Sequence, residues 1–281
     1  MTGPAWLEFD ASEMRGSFAR RPFVIRHRLA NHPLLNLPRL VQLAQALPAA
    51  SVEYNAGNLP IGQEAALTPR TGLSIEETLR QIDSHQSWMV LKNVEQDGEY
   101  RHLLDECLDA LAPAIEPAER GMFGRQAFVF VSSPGAVTPY HADFEYNFLL
   151  QVRGNKTITV FDDQDRNLLS EADRERVVCG GSRNLPFADA FTAKSREFHL
   201  SPGDGVHVPL SAPHWVKVGA EVSISFSMTF QSKASARILA LHRANRWLRQ
   251  RGIEPREVGR SQVLDAVKFN AWRIMARIRP T

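Results

Sequence analysis

Over the first 120 residues the spacing of apolar positions changes several times, and each change predicts a new element. RPFVIRHRL, SVEYN and SWMVLKNV are short runs rich in β-branched and aromatic residues, and they predict strands. PRLVQLAQALP and SIEETLRQIDSH carry helical spacing, the second with Ser74 as its N-cap. In EYRHLLDECLDALAPAI, Leu103, Leu104, Cys107, Leu108 and Leu111 recur on one helical face, which must pack against something.

From residue 126 to 230 the pattern shortens. QAFVFVSS, TPYHADF, YNFLLQVRG, KTITVFD, REFHL, GDGVHVP, HWVKV and EVSISFSMTFQ are β-type runs separated by turn signals, and eight such runs predict a sandwich or barrel. RGNK and SPGDG supply tight turns. Residues 162–195 break the series with a short helix and loop, an excursion of the kind found at site mouths. After residue 233 two helices are predicted, one ending at Gly252 and one capped by Ser261. In the second, Val263, Leu264, Val267, Ala271, Ile274, Met275 and Ile278 form an apolar stripe, expected to be buried on the barrel or a second subunit. The expected organisation is one domain over residues 1–232, with its core at about 125–230, and a helical extension over 233–281.

Composition adds limits. The 43% hydrophobic and 23% charged content is that of a globular protein, with no apolar run long enough to span a membrane. The acidic N-terminal stretch is unlike a secretory leader, so a cytoplasmic location and no membrane partner are expected. Two isolated cysteines, Cys107 and Cys179, exclude a disulfide framework and read as free thiols. The net charge of +2 hides an asymmetry: residues 233–281 hold twelve Lys/Arg against three Asp/Glu. These cations are spread along two helices rather than blocked together, which favours a solvated or subunit-facing surface over nucleic acid.

The chemistry concentrates in TPYHADFEYNF, residues 138–148. His141 and Asp143 are two apart on an extended strand, so their side chains share a face and can share a metal. A third ligand must come from elsewhere, and GDGVHVPLSAPHWVKV offers His207 and His214. Two imidazoles and one carboxylate on one side of a metal suit non-haem Fe(II), with positions left for substrates and O₂.

Gly135-x5-His141-x-Asp143-x3-Asn147-x6-Gly154 and Gly203-x5-Pro209-x-Ser211-x2-His214 resemble the two cupin motifs, with Asp for the second His, Asn for Glu, and Ser211 where Gly is usual. Together with NFLLQVRGNKTITVF they resemble the JmjC-like (cupin-8) branch of Fe(II)/2-oxoglutarate oxygenases, a group that includes hydroxylases of the factor-inhibiting-HIF type. The resemblance implies a mainly β double-stranded β-helix, a jelly-roll cupin barrel, with flanking N-terminal α/β elements and C-terminal helices. It implies His141, Asp143 and His214 as iron ligands, and Thr138, Asn147 and Lys156 as residues that bind 2-oxoglutarate. His207 falls where the family has an apolar strand residue, so a structural or pocket-lining role is expected rather than a ligand role. No upstream tyrosine for the co-substrate is identifiable in RQAFVFVSS, and Ser225, Ser227 and Thr229 are alternatives for a late polar contact.

The activity so implied is hydroxylation of a protein or peptide side chain or a small metabolite, with O₂ consumed and succinate and CO₂ released. Demethylation would be the same reaction on an N-methyl carbon. The resemblance also implies a homodimer formed through the C-terminal helices. Competing readings are a cupin of another class, such as an isomerase or a 2-oxoglutarate-independent dioxygenase, and a non-enzymatic scaffold with a basic helical surface.

Overall fold

The structure is a computed structural model that describes residues 6–278. Its strands are β1 (Leu7–Glu8), β2 (Phe23–His27), β3 (Val52–Ala56), β4 (Ser87–Lys92), β5 (Phe123–Ser132), β6 (Val137–His141), β7 (Tyr146–Arg153), β8 (Lys156–Phe161), β9 (Ser195–Leu200), β10 (Asp204–Val208), β11 (His214–Val218) and β12 (Ser223–Gln231). The helices are α1 (Ala11–Ser17), α2 (Leu37–Ala46), α3 (Ile75–Arg80), α4 (Gly98–Ile115), α5 (Glu171–Val178), α6 (Lys233–Arg249) and α7 (Gln262–Ile278).

Strands β5 to β12 are the eight runs expected from the sequence, and they divide between two antiparallel sheets. The larger has the order β1-β2-β10-β7-β12-β5-β4-β3, the smaller β6-β11-β8-β9. Leu149, Val206, Val208 and Phe130 of the first meet Ile158, Val160, Leu200 and Val216 of the second, so the sheets face each other as in a jelly-roll.

The large sheet is covered on both faces. Its outer residues Val129, Val131, Phe148, Leu150, Phe226 and Met228 share a core with Met14, Phe18, Leu40, Leu43 and the α4 residues Leu103, Leu104, Cys107, Leu108 and Leu111. Burial pushes the Cys107 thiol up to about 12, so it is inert. Strand β12 shows what this arrangement requires: Ile224, Phe226, Met228 and Phe230 face the helices, and Ser223, Ser225, Ser227 and Thr229 alternate onto the face between the sheets. A strand with its apolar face turned away from the sandwich interior leaves polar groups lining that interior.

Local signals hold at the helix ends. Ser74 and Glu77 form a capping box on α3, and Ser261 accepts from Leu264 N–H at the start of α7. Helix α7 packs on α6 through Arg237 over Phe269 and through Lys268, which bonds Asn245 and the Arg256 carbonyl. Its apolar stripe does not pack on the barrel, contrary to the first of the two expectations: Val263 is 74% exposed and Ile274 60%, with Leu264 and Val267 also open. The Ile278 side chain lies outside the described residues.

Candidate active site

The register of the small sheet assembles the site. His214, the first residue of β11, lies opposite His141, the last of β6, and their rings are 4.1 Å apart. Asp143 follows two residues later, and its Oδ2 stands 3.7 Å from His141 Nε2 and 3.8 Å from His214 Nε2. Among the described residues these three form the single group of His, Cys, Asp or Glu able to hold a metal ion together.

Hydrogen bonding orients both imidazoles. His141 Nδ1 is 2.7 Å from the Pro139 carbonyl and His214 Nδ1 is 3.0 Å from that of Ala212. A carbonyl only accepts, so each Nδ1 carries the proton and each Nε2 turns a lone pair toward Asp143. Burial pushes His214 down to about 4, which keeps the ring neutral and able to ligate. Burial of Asp143 works against its charge, but the Arg183 guanidinium beside it outweighs burial and holds the carboxyl below its usual range.

The turn before His214 is tied to Asp143. Ser211 sits at φ 61°, a conformation that favours glycine, and its N–H donates to the Asp143 carbonyl at 2.8 Å. Its hydroxyl accepts from Arg174 Nη1 at 2.9 Å and donates to Asp163 at 3.2 Å. Arg174, buried on α5, also donates to the Asp163 backbone carbonyl. Side-chain bonds from the 162–195 excursion thus hold a serine where the sequence pattern expects glycine.

Lys156 is the first residue after the two-residue Gly154-Asn155 loop, in which Gly154 has φ 65° and an added Cβ would meet the Val222 carbonyl oxygen at 2.4 Å. It is not a surface hairpin lysine: it is 6% exposed and shares a face with Ile158 and Val160, between the sheets. The ladder pairs Val218 with Lys156 and His214 with Val160, so Lys156 starts four residues deeper than the imidazoles, roughly 13 Å along the strand. Burial, with no carboxylate among the described residues to offset it, pushes its ammonium down to about 7.

Asn147 and Thr138 line the same interior. The buried Asn147 side chain accepts from Ser227 Oγ at 2.8 Å, and Thr138 lies opposite Val216 of the interior cluster. Ser225 is occupied by Gln151 at 2.7 Å, and Thr229 reaches the Gln126 carbonyl at 3.5 Å, so Ser227 is the late polar residue joined to Asn147. His207 is on the opposite face of the large sheet, stacked on Phe18 and packed against Phe23 and Phe148, away from the three converging groups. Burial pushes it down to about 3.

Sequence reasoning missed Arg183. Its Nη1 donates to Asp143 Oδ1 at 2.6 Å, and it also pairs with Glu145. The excursion was legible as a site mouth, but no local signal marked this arginine. The segment around it is packed rather than free: Ala142 N–H donates to the Arg183 carbonyl, Leu185 N–H to that of Tyr140, and Phe187 and Phe191 pack edgewise on each other beside the Tyr140 ring.

A family model described as a cupin-like domain matches residues 17–236. The chain belongs to the cupin-like domain family. It is 32% identical over 102 residues to a lysine-specific demethylase 8 of Danio rerio, a stretch that spans 34% of this chain and 24% of that protein. Its fold is similar to that of E. coli YcfD, with a TM-score of 0.56 at 14% identity over 99% of this chain and 70% of the other. A second YcfD structure, described as a ribosomal oxygenase in complex with cobalt and 2-oxoglutarate, gives a TM-score of 0.53 at 13% identity over 98% and 68% of the two chains. The fold expected from the sequence, a mainly β jelly-roll with flanking helices, is the fold found. Among the described residues no helix is long and apolar enough to cross a membrane.

Proposed function

We propose that this chain is an Fe(II)- and 2-oxoglutarate-dependent oxygenase that hydroxylates a protein or peptide side chain. One observation carries the reading: a facial set of two oriented imidazoles and one carboxylate opens onto an interior that holds a buried lysine with no anion beside it among the described residues. The donor set suits Fe(II), and a buried ammonium is costly unless an anion meets it. A dicarboxylate that reaches from His141, Asp143 and His214 inward to Lys156 supplies that anion. Iron held by the three residues would supply the oxidising power for C–H hydroxylation, coupled to conversion of 2-oxoglutarate and O₂ into succinate and CO₂.

The residues of the chain then have distinct tasks. Lys156 fixes the far carboxylate, while Asn147, held by Ser227, and Thr138 offer polar contacts along the co-substrate. The apolar interior around Ile158, Val160 and Val216 keeps water out. A peptide substrate is supported by a nearby groove of about 560 Å³ lined by residues 62–66, Ser182 and residues 184–187, whose Asn184 is joined to His141 by a backbone bridge. The names of the relatives, one a demethylase and one a ribosomal oxygenase, point to protein substrates as well. Hydroxylation is the default outcome, and an N-methyl substrate would turn the same site to demethylation.

The open stripe on α7 supports a homodimer, because a second copy would bury Val263, Leu264, Val267 and Ile274 against the same residues. Val267→Asp with Ile274→Asp should then yield a monomer by light scattering. A cytoplasmic setting suits the two free thiols.

Anaerobic titration of the protein with Fe(II) and then 2-oxoglutarate tests the activity. A metal-to-ligand charge-transfer band that needs both ligands is expected, and its absence in metal-loaded protein would sink the proposal.

A further inference from the structure

Arg183 belongs to none of the strands, yet its guanidinium reaches the carboxylate of the site. Nη1 donates to Asp143 Oδ1 at 2.6 Å and to Glu145 Oε2 at 3.2 Å, and Nη2 donates to Glu145 Oε1 at 3.0 Å. The other Asp143 oxygen, Oδ2, is the one that faces both imidazole Nε2 atoms. The arginine is also fixed by its backbone, since its carbonyl accepts from Ala142 N–H and its neighbour Asn184 bridges to His141.

We infer that Arg183 is a positioning residue for the metal centre, and that it holds Asp143 as a one-oxygen ligand. With Oδ1 committed to a charge-assisted hydrogen bond, only Oδ2 is free to ligate. A carboxylate that could swing to offer both oxygens would take a position that co-substrate or O₂ needs. Glu145 completes the device. An arginine alone beside a divalent cation would repel it, and the Glu145 carboxylate cancels that charge while gripping the guanidinium from the other side. The Arg183 side chain is 50% exposed, so its outer face is open to solvent while its inner face holds Asp143.

This inference rests on the reading of His141, Asp143 and His214 as iron ligands, and its test separates the two. Co(II), a spectroscopic stand-in for Fe(II), is titrated into wild type and into the double variant Arg183→Gln/Glu145→Gln, which removes one charge of each sign. The double variant is expected to bind Co(II) about 10- to 100-fold more weakly. Its d–d absorption should also differ in intensity, because the carboxylate changes denticity. A purely structural role would lower the melting temperature and leave the spectrum of the bound ion unchanged, and that result would overturn the inference. Wild-type affinity together with a wild-type spectrum would do the same. No saturable Co(II) spectrum in the wild type would instead remove the ligand assignment, and Arg183's role with it. If the double variant does not fold, Arg183→Lys replaces it. A single ammonium cannot serve Asp143 and Glu145 as a guanidinium does, so weaker binding with an altered spectrum is expected, and unchanged binding and spectrum overturn the inference.

Discussion

The two ends of the interior treat charge in opposite ways. At the mouth every charged group has a partner: Asp143 and Glu145 share Arg183, and the imidazoles are oriented by backbone carbonyls. At the deep end Lys156 is buried without a counter-ion among the described residues. The difference teaches which part the chain builds by itself and which part it leaves for a ligand to complete. In the proposed reading, a pre-paired mouth is ready for a metal, and the unpaired deep end is an electrostatic cost that a dicarboxylate would remove.

The comparison breaks most completely if the mouth is not a metal site. Asp143→Ala or His214→Ala should each weaken Co(II) binding by about 100-fold or more and abolish succinate release, measured by titration and by product assay. Retention of tight binding in either variant would mean that the three side chains converge for another reason.

Lys156→Met is the next test, and it should have two effects of opposite sign. Affinity for 2-oxoglutarate should fall by about 30-fold or more, as when one member of a buried charge pair is removed. The ligand-free protein should become more stable, because a buried unpartnered ammonium is gone. The pH dependence follows from the same shift. An unfolded lysine keeps its proton to about pH 10.4, whereas Lys156 in the fold loses it near 7. Between these values the unfolded chain binds the extra proton, so stability rises with pH across that window, and the full penalty is present below about pH 7. Denaturant melts of wild type should show this slope, and Lys156→Met should flatten it. Binding of 2-oxoglutarate should take up a proton above pH 7 and weaken as pH rises, which calorimetry in buffers of different ionisation enthalpy can measure.

A smaller effect is expected where the excursion holds the mouth together. Arg174→Ala leaves Ser211 strained and the Asp163 carboxylate without its buried cation, at a cost of about 3 kcal/mol in denaturant unfolding. An unchanged midpoint would show that Ser211 holds its turn unaided. The smallest is Ser227→Ala, which should raise the 2-oxoglutarate requirement about fivefold through loss of one hydrogen bond to Asn147. No change there would leave Asn147 positioned by its backbone alone.

The positions of the eight strands β5 to β12 and the convergence of His141, Asp143 and His214 were legible in the chain, because period-two alternation and motif spacing are local properties. Lys156 was legible as an interior residue from its alternation with Ile158 and Val160, although the adjacent turn argued for the surface. Arg183 was not, since its partner lies 40 residues away and nothing in SRNLP distinguishes a carboxylate-gripping arginine from a solvated one. The choice among Ser225, Ser227 and Thr229 was closed too, because it depends on which cross-strand neighbour, Gln151 or Asn147, occupies each hydroxyl. The placement of the α7 stripe was open for a similar reason: an amphipathic pattern says that a face needs cover and not what provides it.

The 162–195 excursion has a consequence for anyone who would redesign this protein. Loops at the mouth of a β scaffold are usually its exchangeable part, altered to change what is bound while the framework stays as it was. Here the same segment carries Arg174, which secures the turn leading to His214, and Arg183, which grips Asp143. If the proposed site holds, specificity and metal retention are not separate modules. A loop transplanted from a relative would have to bring both arginines at the same reach, or the graft would loosen the turn before His214 and the grip on Asp143 in one step.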